Sequence, residues 1–326
     1  MISVIQLLLL KLNPEIAHHI AVRLLSLYQF FKTKILRQIP QGVLLIKVPR
    51  HFEWKLSSRL GMAAGFDKQA QVFPALFHLG FGFVEVGTVT PLPQPGNPPP
   101  RIWRVAPQAL VNHFGFNSIG LEVFKKNIRH YRRQARLPVL ANIGKNKSTP
   151  AENALSDYES CLKALEGNVD GFVINISSPN TPGLRELQST EFIRALCKVL
   201  PLSSPVLLKL APDISISTLQ EICELVLSED CLSGLVLVNT SRELSEKRGF
   251  SQGGLSGPPL FSTSMDFIER ARQILLGKKI IIGVGGVSSL EEAQQMRDSG
   301  ADLIEIYTSF IYQGPKLIKT ISSRLQ

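Results

Sequence analysis

The chain has 326 residues, 44% of them hydrophobic, which is enough to build a sizeable core in one large α/β domain or two small ones. Lys and Arg outnumber Asp and Glu by 36 to 26, and the net charge of +10 favours an anionic partner: nucleic acid, a membrane surface or an anionic ligand. Cys161, Cys197, Cys223 and Cys231 form no C-x-x-C pair, so neither a zinc site nor an iron–sulfur cluster is suggested, and with no repeat or low-complexity tract one domain fits best.

The first forty residues read differently from the rest. Asn13-Pro14-Glu15 is a helix start, with a capping amide, a proline where no donor is missed and an acid in the first turn. Ile16, Ile20, Leu24, Leu27 and Phe31 then form one apolar stripe at helical spacing, and Leu7 to Leu10 belong to a shorter helix before it. Lys11, Arg23, Lys32, Lys34 and Arg37 stand against the single acid Glu15. There is neither a secretory signal nor an apolar run of the ~20 residues that spans a bilayer. Two readings stay open: a helical hairpin packed on the main domain, or a basic amphipathic anchor in the membrane interface.

Beyond residue 55, strand-like runs alternate with helical patterns. Strands are predicted at 61–64, 83–86, 139–143, 172–175, 206–210, 235–239, 280–284 and 303–307, with helices over 69–79, 151–166, 216–228, 289–299 and 315–325. Eight βα units at this length predict a parallel (β/α)₈ TIM barrel over residues 41–326, preceded by a helical extension at 1–40. The basic cluster Lys125, Lys126, Arg129, Arg132, Arg133 and Arg136 reads as a solvated helix face, without the interleaved aromatic residues that single-stranded nucleic acid requires.

Polar residues gather where these strands end: Lys68, Thr88, Asn142 with Lys145, Asn175 with Ser178, Lys209, Asn239 with Thr240, and Tyr307 with Thr308. In a barrel those ends share one face, the usual place for an active site. Lys209 lies inside an apolar strand, which is costly unless its charge is paired. Gly283-Val284-Gly285-Gly286 and Thr308-Ser309 follow strands seven and eight, the usual barrel phosphate site.

Nine segments carry a resemblance: GMAAGFDK (61–68), EVGTVTPLPQPGNPPPR (85–101), NHFGFNSIG (112–120), NIGKNK (142–147), NISSPNTPGLR (175–185), LKLAPD (208–213), GGLSGPPL (253–260), GVGG (283–286) and IYTSFIYQGP (306–315). Together they resemble dihydroorotate dehydrogenase, and specifically its class 2, membrane-associated, quinone-dependent branch. Ser178, where the soluble class has cysteine, and the amphipathic extension mark that branch. The resemblance implies oxidation of dihydroorotate to orotate in pyrimidine synthesis, with one FMN per chain as hydride acceptor, a membrane quinone as final acceptor, and no metal.

By resemblance, Ser178 is the catalytic base, with Thr181 and Phe116 shaping its proton path. Lys68, Asn112, His113, Phe114, Gly115, Phe116, Asn175, Asn180, Asn239 and Thr240 would bind the substrate, whose ring alternates donors and acceptors as amide side chains do. Ala64, Gly65, Phe66, Asp67, Lys68, Thr88, Asn142, Asn175, Lys209, Val238, Gly257, Gly286, Tyr307 and Thr308 would hold FMN, Lys209 facing the charge that develops on it. His18, Arg101 and Tyr307 fall on family quinone positions, which favours the interfacial-anchor reading of residues 1–40, and His19 is an alternative to His18. The resemblance also implies a peripheral enzyme on the cytoplasmic face of a bacterial membrane, with no nucleic-acid partner. Ser58-Arg59 stands in place of the usual Asn-Pro, His113 in place of a frequent Arg, and Val238 in place of Thr. Gly183 makes the stretch from Thr181 to Gln188 a candidate lid. The competing readings are another FMN barrel, such as a tRNA dihydrouridine synthase, and a non-catalytic barrel that docks on membranes.

Overall fold

Short Val-, Ile- and Leu-rich runs separated by helices pair in parallel through crossover connections, and each crossover lays a helix on the outside of the sheet. The computed structural model describes residues 2–32, 44–49, 52–133, 137–181, 183–201 and 203–325. Helices α1 (Ile2–Lys11) and α2 (Pro14–Lys32) precede an antiparallel hairpin of β1 (Leu44–Val48) and β2 (Phe52–Leu56). Strands β3 (Leu60–Met62) and β4 (Phe83–Val89) flank α3 (Phe73–Leu79). The antiparallel pair β5 (Ile102–Val105) and β6 (Ala109–Asn112) and helix α4 (Leu121–Arg132) lead into β7 (Val139–Ile143). Regular alternation follows through α5 (Ala154–Leu165), β8 (Gly171–Asn175), α6 (Thr190–Cys197), β9 (Val206–Leu210), α7 (Ile216–Ser228) and β10 (Gly234–Leu237). After α8 (Arg242–Glu246), β11 (Gly254–Ser256) pairs with β6 outside the barrel. The chain finishes with α9 (Phe261–Leu275), β12 (Ile280–Val284), α10 (Leu290–Asp298), β13 (Leu303–Ile306), α11 (Thr308–Gln313) and α12 (Pro315–Ser322).

Strands β3, β4, β7, β8, β9, β10, β12 and β13 close in that order into one parallel barrel, a TIM barrel whose strands coincide with the eight predicted ones. The hairpin β1–β2, which the sequence reading missed, plugs its lower end. Ile46, Val48, Trp54 and Leu56 pack there against Phe83, Leu140, Val173, Leu207 and Leu303 from inside the barrel. Two residues further along the same strands stand Glu85, Asn142, Asn175, Lys209 and Glu305. Side chains two apart in a strand share a face, so an apolar layer lies directly beneath a polar one.

One expectation about helices is corrected, and one of the two readings of the extension is favoured. The helix predicted from residue 69 begins at Phe73, because the Asp67 carboxylate accepts the Gln71 and Val72 N–H groups, each at 2.8 Å, and Ala70 takes a left-handed φ of 53°. The apolar stripe of α2 does not face the barrel: Ile16, Leu24, Leu27 and Phe31 are exposed, as is Phe30. The same helix docks by its other side, through buried Ala17 and through Gln29, whose amide donates to the Gln71 carbonyl at 2.8 Å. Two arginines clip the extension to β5. Arg101 pairs with Glu15 at 2.7 Å, and Arg104 donates to the Leu12 and Leu9 carbonyls at the end of α1. The 40/41 domain boundary, Lys34, Arg37 and Arg136 lie outside the described residues. Helix α4 buries Leu121, Phe124 and Ile128 and turns Lys126 and Arg129 to solvent, with Arg133 just after it also exposed, in line with its charge pattern, whereas Lys125 is half-buried and Arg132 is tied to Asp170 at 2.6 Å.

Candidate active site

Parallel strands deliver their carboxyl ends to one mouth, and the loops beyond them line one cavity. Its wall includes Ala64, Gly65, Lys68, Thr88, Asn112, Phe114, Gly115, Phe116, Asn175, Ser178, Asn180, Lys209, Val238, Asn239, Thr240, Gly257, Gly286, Tyr307 and Thr308. A second cavity opens beside it, lined by Asn97, His113, Lys147, Thr181, Arg185 and Arg242, and Ser178, Pro179 and Asn180 are common to both. The other predicted residues take positions behind these walls. Asp67 caps the turn before α3, and Phe66 packs between His18 (ring centroids 5.3 Å apart) and Tyr307 (6.1 Å). Lys145 sends its ammonium to the Thr149 and Asn146 carbonyls.

At the base of the cavity the polar layer is tightly bonded. Lys209 Nζ lies 2.6 Å from Glu85 and 3.8 Å from Glu305, and all three side chains are buried. Burial opposes the lysine charge, yet the two carboxyl groups outweigh it and hold Lys209 above its ordinary value. Burial would likewise raise Glu85, but the Lys209 ammonium and the Asn142 amide, which donates at 2.5 Å, hold it below the usual carboxylate range. Glu85 and Glu305 went unread in the sequence. The signal for them was the one that marked Lys209, an ionisable residue inside an apolar strand.

Above this layer the amides order one another. Asn175 donates to Thr88 Oγ1 at 3.2 Å and to Asn142 Oδ1 at 3.1 Å, while its own oxygen accepts from Ser177. Asn239 donates to Ser177 Oγ at 2.9 Å. Asn180 donates to Asn112 Oδ1 at 3.2 Å and accepts from His113 Nδ1 at 3.1 Å. Asn97 Nδ2 is a donor, so His113 Nε2 accepts from it at 3.0 Å and the ring carries its proton on Nδ1. The histidine thus joins the β5–β6 sheet to the Ser178 loop. Ser178 is buried, and its Oγ accepts the Asn180 N–H at 3.3 Å. Thr181 Oγ1, also buried, has no hydrogen-bond partner among the described residues. Arg185 holds the Thr181–Gln188 stretch down by pairing with Asp213 at 2.7 Å and donating to the Ser177 and Thr240 carbonyls.

The opposite wall fits a phosphorylated group. A Cβ on Gly286 would stand 2.5 Å from the Phe261 backbone, and one on Gly257 would stand 2.9 Å from the Gln108 carbonyl, so both positions need glycine at their φ of 85° and 102°. Ser309 lines the same cavity, and its buried Oγ has no hydrogen-bond partner among the described residues. Val238 presents an apolar surface there, and its N–H is taken by the Val284 carbonyl at 2.8 Å. Ser58 and Arg59 act away from the cavity, Ser58 Oγ accepting the Leu60 N–H and Arg59 donating to the Asp302 carbonyl.

Towards α2, Lys68 Nζ sits 3.3 Å above the Phe114 ring, and Arg101 approaches the same ring at 5.4 Å. Burial, then Arg101, lowers Lys68 to about 7, with Glu15 opposing. Burial, then Lys68 and His19, lowers His18 to about 3, so its ring is neutral. Burial raises the Tyr307 phenol. At the far end of the barrel Cys197 is brought to Glu229 and Cys231, which are remote from it in sequence, so that the ligand atoms of the three lie within 4.8 Å of one another, which a spacing argument could not reveal.

Comparison with known proteins gives one family. The model for dihydroorotate dehydrogenase matches residues 49–326. Among curated relatives, a protein of Nitratiruptor sp. named dihydroorotate dehydrogenase (quinone) is 43% identical over 98% of this chain and 93% of its own length. One of the same name from Christiangramia forsetii is 39% identical over 99% of this chain and 98% of its own length. Among solved structures, a dihydroorotate dehydrogenase of Eimeria tenella in complex with ferulenol superposes with a TM-score of 0.84 at 32% identity, covering 96% of this chain and 90% of that one.

Proposed function

The chain belongs to the dihydroorotate dehydrogenase family, and from that premise we propose how its barrel mouth works. It is a flavin enzyme of the class 2 branch that oxidises dihydroorotate to orotate in pyrimidine biosynthesis with a quinone as electron acceptor. We assign FMN as the flavin. Gly257, Gly286, Thr308 and Ser309 would hold its phosphate, and Thr88, Asn142, Asn175 and Lys209 its ring system. When bound it supplies a two-electron acceptor for the substrate's hydride.

The observation that carries the assignment of roles is the position of Ser178, a buried hydroxyl on the rim shared by two cavities. Asn112, Asn175, Asn180 and Asn239 would hold the dihydropyrimidine ring over the flavin, and Lys68 would meet its carboxylate. Ser178 Oγ takes the proton from the ring carbon. A serine hydroxyl is a poor base in water, so it depends on orientation, the Asn180 N–H on its oxygen and an exit for the proton. The second cavity, with the unpartnered Thr181 Oγ1, is that exit, and Phe116 closes the other side.

Electrons leave towards α2. The line His18–Phe66–Tyr307 runs from that helix to the flavin wall, Arg101 is tied to the same helix through Glu15, and we place the quinone head along it. The exposed face of Ile16, Leu24, Leu27, Phe30 and Phe31 would lie in the lipid interface on the cytoplasmic side of the membrane; among the described residues no helix is long and apolar enough to cross it. Stopped-flow measurement of the two half-reactions tests this arrangement. Deleting residues 1–40 is expected to depress quinone reduction far more than anaerobic flavin reduction by dihydroorotate, and equal loss in both would make the segment structural.

A further inference from the structure

Glu305 lines the wall of the main cavity with no exposed surface, and neither of its carboxyl oxygens has a donor among the described residues. Its neighbours allow this in one protonation state. The Lys209 ammonium faces two carboxyl groups, and it lies close to Glu85 at 2.6 Å while Glu305 stands off at 3.8 Å. Glu85 is well satisfied as an anion, since it also accepts the Ala64 N–H and the Asn142 amide. The strands on either side of Glu305, β3 and β12, bring Leu60 to Met62 and Ile280 to Val284, none of which titrates. A second anion here would be buried and uncompensated. Two carboxyl groups that share one counter-charge keep one proton between them. Burial, then the charge of Glu85, raises Glu305 well above the usual carboxylate range, although Lys209 acts the other way.

We propose that Glu305 is a neutral carboxylic acid that donates its proton to Glu85, and that its protonation state tunes the electron affinity of the flavin held at the same wall. The proposal rests on the flavin assignment above. With Glu305 neutral, the three side chains sum to zero charge, so Lys209 can offset the negative charge that reduction places on the flavin. When Glu305 loses its proton to solvent the sum becomes −1, and reduction is disfavoured. No bond to the flavin is made or broken. The effect is electrostatic, and the low dielectric of the apolar layer beneath enlarges it.

Two measurements on the flavin-loaded enzyme test this, with Glu305→Gln as the near-isosteric variant. Infrared spectra are expected to show a protonated-carboxyl stretch, shifted in D₂O, that Glu305→Gln lacks. Glu85→Gln is expected to lose it as well, because Glu305 then ionises against Lys209. The flavin midpoint potential, titrated spectroelectrochemically against pH, is expected to fall more steeply at alkaline pH in the wild type, and this extra fall is absent from Glu305→Gln. A stretch that persists in Glu305→Gln, or identical potential–pH curves in the two proteins, would overturn the proposal. A protein that takes up no FMN would instead fail the flavin assignment, and the infrared result would still decide whether Glu305 is protonated.

Discussion

Lys209→Met keeps the length of the side chain and removes its charge, leaving Glu85 without its partner in a fully buried site. Removing one member of a buried pair costs about 3–5 kcal/mol. Here the upper bound is lower, because Glu85 can take a proton instead of remaining an anion. Protonating a carboxyl with an ordinary value of 4.5 costs about 3.4 kcal/mol at about pH 7 and about 0.8 kcal/mol at about pH 5, at ~1.4 kcal/mol per unit. The sign follows from linkage. In the variant the folded-state value of Glu85 is raised above its unfolded value, so stability is retained below about pH 4.5 and falls as pH rises. In the wild type the folded value is depressed, so Glu85 is ionised in both states over this range and adds little slope. Urea unfolding of flavin-free protein is therefore expected to show a penalty about 2.5 kcal/mol larger at about pH 7 than at about pH 5. The Glu85→Gln/Lys209→Met double variant should lose that pH dependence. Equal penalties at both pH values would refute the reasoning, because they would mean that the lost stability is packing and not charge.

Three further outcomes follow from the site. Ser178→Ala is expected to retain FMN and to slow anaerobic flavin reduction by dihydroorotate by orders of magnitude, and a near-normal rate would place the base elsewhere. Gly286→Ala, whose Cβ would meet the Phe261 backbone at 2.5 Å, is expected to weaken FMN binding at least tenfold by fluorescence titration, and an unchanged affinity would remove Gly286 from the phosphate wall. Phe30→Ser/Phe31→Ser is expected to lower sedimentation with lipid vesicles about a hundredfold, at ~1.5 kcal/mol per buried ring, with flavin reduction unaffected. Unchanged sedimentation would show that this face does not meet lipid.

The barrel was legible in the sequence because most of its strands are short apolar runs with a polar residue at or just beyond the carboxyl end. The β1–β2 hairpin was not read, although Leu44–Val48 and Phe52–Leu56 bury alternate residues, because neither run is apolar throughout. In α2, periodicity gives the existence of an apolar face and not its direction, and here it points outward. An ammonium inside an apolar strand marks Lys209 as needing a partner, and Glu85 and Glu305 carry the same mark inside their own apolar strands without showing which charge each meets. Pairing across a barrel depends on which strands face each other, and that is a property of closure. His113 shows the same limit: only the placement of Asn97 beside its Nε2 explains how an imidazole can stand where an arginine is common.

The step from apolar to polar two residues along β4, β7, β8, β9 and β13 also bears on how the chain reaches this structure. Lys209 and Glu85 are 124 residues apart, so their contact is made late, when β4 and β9 take their places in one barrel. A strand that entered one residue out of register would turn its carboxylate, amide or ammonium outward, into the apolar layer under the helices. Each of these strands therefore carries its own check on registration, and the buried ion pair makes a misassembled barrel much less stable than the correct one.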